Sequence, residues 1–227
     1  MIFTLLLAAT YSAGSSTARD SLPMTGARNP AYAADGRLAL SVRGRLWVRT
    51  GAGKDTRWQQ VASGPAWDRE PAWTRDGSAL VYASNAGGHS QLYSGAVAAQ
   101  GDVATPIRIT TSSEPESQAS VSLYGTLLFA RGRTGQTTIW MRSAASVERR
   151  FTSGDNGAER WPAWSPDGRR VAYSATREDR TRMRVRWVDG DSDRVIVQDR
   201  DAEHSAWSPG DTVTSPIRSV MSRRGKL

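Results

Sequence analysis

Trp161-Pro162-Ala163-Trp164-Ser165-Pro166-Asp167-Gly168-Arg169-Arg170-Val171-Ala172-Tyr173-Ser174 is the stretch on which the fold turns. Residues 161–165 read as a strand with Ala163 pointing away from Pro162 and Trp164. Ser165-Pro166-Asp167-Gly168 is a tight turn: proline presets φ, aspartate can bond nearby backbone, and glycine accepts the left-handed exit. Residues 171–174 form a second strand, and a polar loop over 176–181 reverses the chain. Met183, Val185 and Trp187 then alternate with Arg182, Arg184 and Arg186, the period of two of a strand with one wet face. Asp189-Gly190 makes the next turn, and residues 195–197 supply a fourth strand.

The unit recurs. Asn29-Pro30-Ala31-Tyr32 leads to Asp35-Gly36, and Glu70-Pro71-Ala72-Trp73 leads to Asp76-Gly77. A third, weaker copy keeps Gly125 but has Leu123-Tyr124 in place of Pro-Asp. A fifth begins at His204-Ser205-Ala206-Trp207. The turn glycines Gly36, Gly77, Gly125 and Gly168 are spaced by about 41, 48 and 43 residues, the period of a propeller blade. Leu46 to Val48, Leu92-Tyr93 and Ile139 to Met141 fall in the third-strand position. Residues 58–61, 107–110 and 150–152 fall in the fourth.

The expected fold is therefore all-β: a β-propeller of four-stranded antiparallel blades, about four of them plus the first strand of a fifth. The blades are expected over 28–62, 69–111, 116–153 and 160–198, with the partial one at 203–209. A blade must bury both faces, and radial stacking does this. Tyr32, Trp73, Trp164 and Trp207 are expected to fill the space between neighbours. A β-sandwich also has many short strands, but it does not predict a repeated aromatic-turn-glycine unit.

The motif Ala163-Trp164-Ser165-Pro166-Asp167-Gly168, followed by an apolar strand, resembles the propeller repeats of TolB and its relatives. Similar repeats precede the catalytic domains of some prolyl-oligopeptidase-like peptidases and of some amidohydrolase-linked proteins. The resemblance covers roughly 28–211 and implies a six- or seven-bladed ring. Two readings follow: a piece of a longer polypeptide, or a small, incomplete ring closed by the terminal strand. Residues 212–227 are basic and poor in strand formers, and read as a disordered or truncated tail.

The 227 residues carry a formal charge of +8. Of thirty basic residues, Lys54 and Lys226 are lysine and the rest arginine. Charge alone admits nucleic acid, but the arginines are scattered and no aromatic is interleaved with Arg182, Arg184 and Arg186, so nucleic acid is not the expected partner. No cysteine is present, which removes disulfides, thiolate metal sites and a cysteine nucleophile. Residues 2–9 are apolar and 12–18 small, as in a secretory signal. Residues 1–22 are read as signal and leader, with cleavage after Ala13 or Ala18, although no basic residue precedes Arg19. The expected location is periplasmic or otherwise extracytoplasmic.

Catalytic templates do not fit. His89 and His204 lie far apart without ligands at metal spacing, and no Gly-x-Ser-x-Gly elbow occurs. Asp189, Asp191 and Asp193 match a calcium loop at three positions, but Arg194 and Arg200 stand where glycine and the chelating glutamate are needed. No catalytic residue, metal or cofactor is expected. The residues before each first strand converge at one end of a propeller, which makes Arg69, Glu116, Arg160 and His204 the candidate contacts. The expected function is non-enzymatic binding of another protein or a cell-envelope polymer. The alternative is the N-terminal propeller of a larger hydrolase.

Overall fold

The computed structural model describes residues 18, 19, 21, 22, 25–62, 64–190, 193–197, 204 and 207. The leader (apart from Ala18, Arg19, Ser21 and Leu22), the tail and most of the fifth repeat lie outside them. The chain has two compact units, residues 1–113 and 114–227. Each contains two antiparallel sheets, and the fold is that of a β-propeller with four-stranded blades.

In the first unit, β1 (Ala18–Arg19), β2 (Ala27–Tyr32), β3 (Leu38–Val42), β4 (Arg45–Thr50) and β5 (Arg57–Gln60) form one sheet in the order β1-β5-β4-β3-β2. The short β1 extends this blade to five strands by pairing Ala18 with Gln59 and Arg19 with Trp58. The second sheet is β6 (Asp68–Trp73), β7 (Ala79–Ser84), β8 (Gln91–Ala96) and β9 (Ile107–Arg108), paired in that order. Every residue of β3 is buried, because both faces of that strand are covered. On one side Ala39, Leu46 and Val48 pack with Trp73, Leu80, Tyr82 and Tyr93 of the next blade. On the other, Leu40, Trp47 and Trp58 pack with Leu22.

The second unit repeats the scheme with β10 (Glu116–Val121), β11 (Leu127–Arg131), β12 (Thr138–Arg142) and β13 (Glu148–Arg150), then β14 (Ala158–Trp164), β15 (Arg170–Arg177), β16 (Arg180–Trp187) and β17 (Asp193–Val197). Leu128, Ile139 and Phe151 of its first blade pack with Val171, Tyr173 and Ala175 of its second. Ala172 and Met183, on the opposite face, pack with Val185 and Trp207.

The turn after each first strand is closed in the same way in all four blades. The amides of Gly36, Gly77, Gly125 and Gly168 donate to the carbonyls of Ala33, Thr74, Ser122 and Ser165 at 2.9 to 3.1 Å. Gly77 is favoured by its φ of +69°, and a Cβ there would press on the Arg37 guanidinium, 2.8 Å from Nη2.

In each unit one repeat is tied to the one before it through its aromatic. Trp73 Nε1 donates to the Ala31 carbonyl at 3.1 Å, and Trp207 Nε1 to the equivalent Ala163 carbonyl at 3.0 Å. Tyr32 departs from the expected packing and is 66% exposed. Its partner would be an earlier repeat, and none lies among the described residues.

Two fourth strands are shorter or shifted relative to the sequence reading, for one reason. The Leu92 amide bonds the Thr110 hydroxyl and the Ile139 amide the Thr152 hydroxyl, at 3.0 and 2.9 Å. A threonine side chain thus takes the place of a ladder carbonyl and ends the strand.

Candidate binding face

The first strand of each blade is a sheet edge, and its ladder is interrupted at one place. Register shifts fall between Arg28 and Ala31, Arg69 and Ala72, Ser117 and Ser120, and Arg160 and Ala163. At each bulge a residue other than glycine has positive φ: Asn29 at 52°, Glu70 at 56°, Gln118 at 59° and Trp161 at 53°. His204, in the matching position of the fifth repeat, has φ 56°. The strand expected over 161–165 runs instead over Ala158–Trp164, with this bulge inside it. Such a conformation costs on the order of 1 kcal/mol or more per residue and persists only where the surroundings impose it. A bulge also re-aims its side chain and blunts an open edge.

Proline was the available signal. Pro30, Pro71 and Pro162 each follow the bulge residue, and a proline, lacking an N–H, sits in a sheet at edges or bulges. The regular first strand expected from the sequence is therefore broken at the residue before each of these prolines.

The four candidate contacts are placed differently. In the first unit, Arg69 is exposed beside the bulge, its Nε 4.0 Å from the Glu70 carboxylate. In the second unit, Arg160 is half-buried, and its carbonyl accepts the Ser174 hydroxyl at 3.1 Å. His204 is exposed and lies on Trp161, ring centroids 4.0 Å apart. The Trp161 amide donates to Gln118 Oε1 at 3.0 Å, so three successive bulge residues of this unit touch in series.

Glu116 is fully buried and faces the interior. Arg131 Nε donates to it at 2.8 Å, and the same guanidinium pairs with Glu148 and lies 4.2 Å from the Trp140 ring. That arrangement holds a blade together and offers no contact surface. Asp68 and Glu159 occupy the same strand position in their own blades and are also buried. Burial pushes the Asp68 carboxyl up, partly offset by the Ser84 hydroxyl and Arg45. Burial likewise pushes Glu159 up against the Thr152 hydroxyl bond, with Asp193 adding to the rise.

Sequence reasoning missed Asn29, Glu70, Gln118 and Trp161, the half-buried bulge residues of these edges. Their backbone is constant and their chemistry differs from blade to blade. An amide, a carboxylate, an indole and an imidazole can hydrogen-bond, pair and stack. They form no nucleophile-base pair, and no three acidic or histidine groups cluster to hold a metal among the described residues.

A family model described as the TolB beta propeller domain matches residues 18–211. The chain belongs to this family. No curated protein matches the sequence. Among solved structures, a putative TolB from Agrobacterium tumefaciens is 24% identical with a TM-score of 0.69, covering 81% of this chain and 66% of that one. TolB from Acinetobacter baumannii is 15% identical with a TM-score of 0.64, covering 78% and 45%. A puromycin-hydrolyzing peptidase of Mycobacterium tuberculosis is 14% identical with a TM-score of 0.61, covering 76% of this chain and 29% of the peptidase. The chain therefore spans about two thirds or less of these structures, and the likeness is one of fold.

Proposed function

We propose that this chain is a non-catalytic, exported propeller that binds another protein or an envelope polymer through its bulged first-strand edges. The reading is supported by one observation above the rest: a costly backbone conformation recurs at Asn29, Glu70, Gln118, Trp161 and His204 while the side chains differ. Uniform packing needs would favour one residue type, glycine above all, at a left-handed position. Variation on a fixed frame suits recognition. Asp68, Glu116 and Glu159 lie behind this edge as structural supports. Fold alone does not specify function.

Export rests on the apolar run at 2–9 and the small residues after it. Cleavage after Ala13 would keep the edge strand Ala18–Arg19 in the mature protein. Among the described residues no helix is long and apolar enough to cross a membrane.

A photo-crosslinking residue placed at Trp161 or His204 in cells of the native host tests the binding reading. The expected result is a discrete adduct from these positions and none from the exposed Arg133. Equal labelling from all three, or none from any, overturns it. The second reading, a propeller that serves a hydrolase domain, is favoured by the likeness to the puromycin-hydrolyzing peptidase. Reading the gene in all frames beyond Leu227 separates the two.

A further inference from the structure

The β15–β16 hairpin of the second unit pairs Arg177 with Arg180, Ala175 with Arg182, Tyr173 with Arg184 and Val171 with Arg186. Directly paired residues of an antiparallel ladder share a face, so five arginines line one side of this hairpin. Arg177 and Arg180 stand opposite one another at the hairpin end, where Glu178 and Asp179 take positive φ. Like charges so placed repel. The solvated strand face expected from the sequence describes Arg182 alone, since Arg184 and Arg186 are half-buried.

Two adjoining cavities open over this face. One, of about 440 Å³, is lined by Arg177, Arg180, Arg182 and Arg184, with Glu178 as its one acid. The other, of about 550 Å³, is lined by Arg150, Arg184 and Arg186, by the acids Asp155 and Asp193, and by the Thr152-Ser153 segment. Arg184 and Asn156 belong to both.

The arginines of the two cavities outnumber the acids that line them. Glu178 lies 3.8 Å from Arg177, and Asp193 lies 4.0 Å from Arg184 while accepting the Asn156 amide at 3.2 Å. Asp155 offers Arg177 its main-chain carbonyl at 3.4 Å, Asp179 stands beside Arg180 at the hairpin end with no ion pair to it among the described residues, and Glu159 is buried behind the wall. Arg180 and Arg182, both exposed, have no acidic partner among the described residues.

We propose that this double cavity is a binding site for a phosphate-bearing ligand, with one phosphate group in each lobe and Arg184 between them. Guanidinium forks match the oxygens of phosphate in pairs and stay charged at any physiological pH. Asn156 adds a neutral amide at the junction. Phe151 is the sole aromatic lining either lobe and is itself buried, so no ring is presented for a base to stack on. Recognition here is of charge and oxygen geometry.

Titration calorimetry of the full chain at low salt, with pyrophosphate and triphosphate, tests the site. Saturable one-to-one binding is expected, weakened at least tenfold in the R180E/R182E variant and unchanged in R75E, which reverses an exposed arginine of the first unit. Far-ultraviolet dichroism checks that both variants are folded. A parallel arm floats the protein on vesicles with 30% phosphatidylglycerol or with neutral lipid only. Capture by the anionic vesicles that R180E/R182E abolishes, without triphosphate binding, assigns the phosphate to a lipid headgroup. Saturable triphosphate binding assigns it to a free or polymeric phosphate. Absence of binding in both arms, or equal weakening by R75E, overturns the proposal.

Discussion

The Arg37 guanidinium carbon lies 4.8 Å from the centre of the Trp73 ring, spanning two consecutive blades of the first unit. The same arginine, nearly buried, donates to the Gly77 carbonyl at 2.6 Å and to the Ala98 carbonyl at 3.0 Å, and pairs with Asp35 at 2.7 Å. It ties the turn of one blade to the aromatic and the turn of the next. In the second unit Arg170 takes the same place, 4.8 Å from the Trp207 ring.

Arg37→Ala removes a cation over an indole and takes its donor from the carbonyls of Gly77, Val97 and Ala98. A loss of about 2 to 3 kcal/mol in unfolding free energy is expected. Arg37→Lys should recover less than half, because an ammonium cannot stack and fork together. Urea unfolding followed by tryptophan fluorescence measures both; a loss below about 0.5 kcal/mol in the alanine variant would show that the contact is decorative.

The bulge makes the opposite prediction for its own residue. Asn29 is half-buried with φ 52°. Asn29→Gly should leave stability unchanged or raise it slightly, since glycine takes that φ freely. Asn29→Val should cost about 2 kcal/mol, because a β-branched side chain is strained there. Thermal unfolding of the two variants checks the order, and similar midpoints would mean that the bulge relaxes at no cost.

What the sequence could and could not convey follows from how each signal is encoded. Blade period, strand order and turns were legible because each turn uses chemistry with a fixed backbone consequence, as in Pro166-Asp167-Gly168. The bulges were legible in principle through Pro30, Pro71 and Pro162, but the third blade has Ala119 there and shows the same shift. The inward direction of Glu116 was not legible, because its partner Arg131 lies on the next strand and only register brings them together. The arginine cavities likewise depend on the pairing of β15 with β16 and on the loop carrying Asn156, which no local pattern reports.

Glu116 is expected to matter for folding and not for contact. Glu116→Ala should cost about 2 to 4 kcal/mol, near the lower part of the range for breaking a buried pair, since Glu148 still neutralises Arg131. Crosslinking from His204 should be unaffected in whatever fraction remains folded. Loss of the adduct with no loss of stability would return Glu116 to the binding face.

The buried and exposed acids should answer pH with opposite signs. Glu159 has its pKa raised in the folded state, chiefly by burial. Its contribution is therefore fully present below the ordinary carboxylate value and is lost as pH rises through the folded one. Asp76, in the turn of the second blade, is held down to about 2, first by the Thr74 hydroxyl and then by Ser78. Its contribution is present above the ordinary aspartate value and is lost as pH falls toward 2. Glu159→Gln should thus gain on the wild type as pH moves from 4 to 8, while Asp76→Asn should fall behind it over the range from 2 to 5. Denaturation midpoints at five pH values measure both slopes. A Glu159→Gln variant that parallels the wild type across the whole range would mean that the carboxylate keeps its ordinary pKa in the fold, and that the Thr152 bond fully offsets its burial.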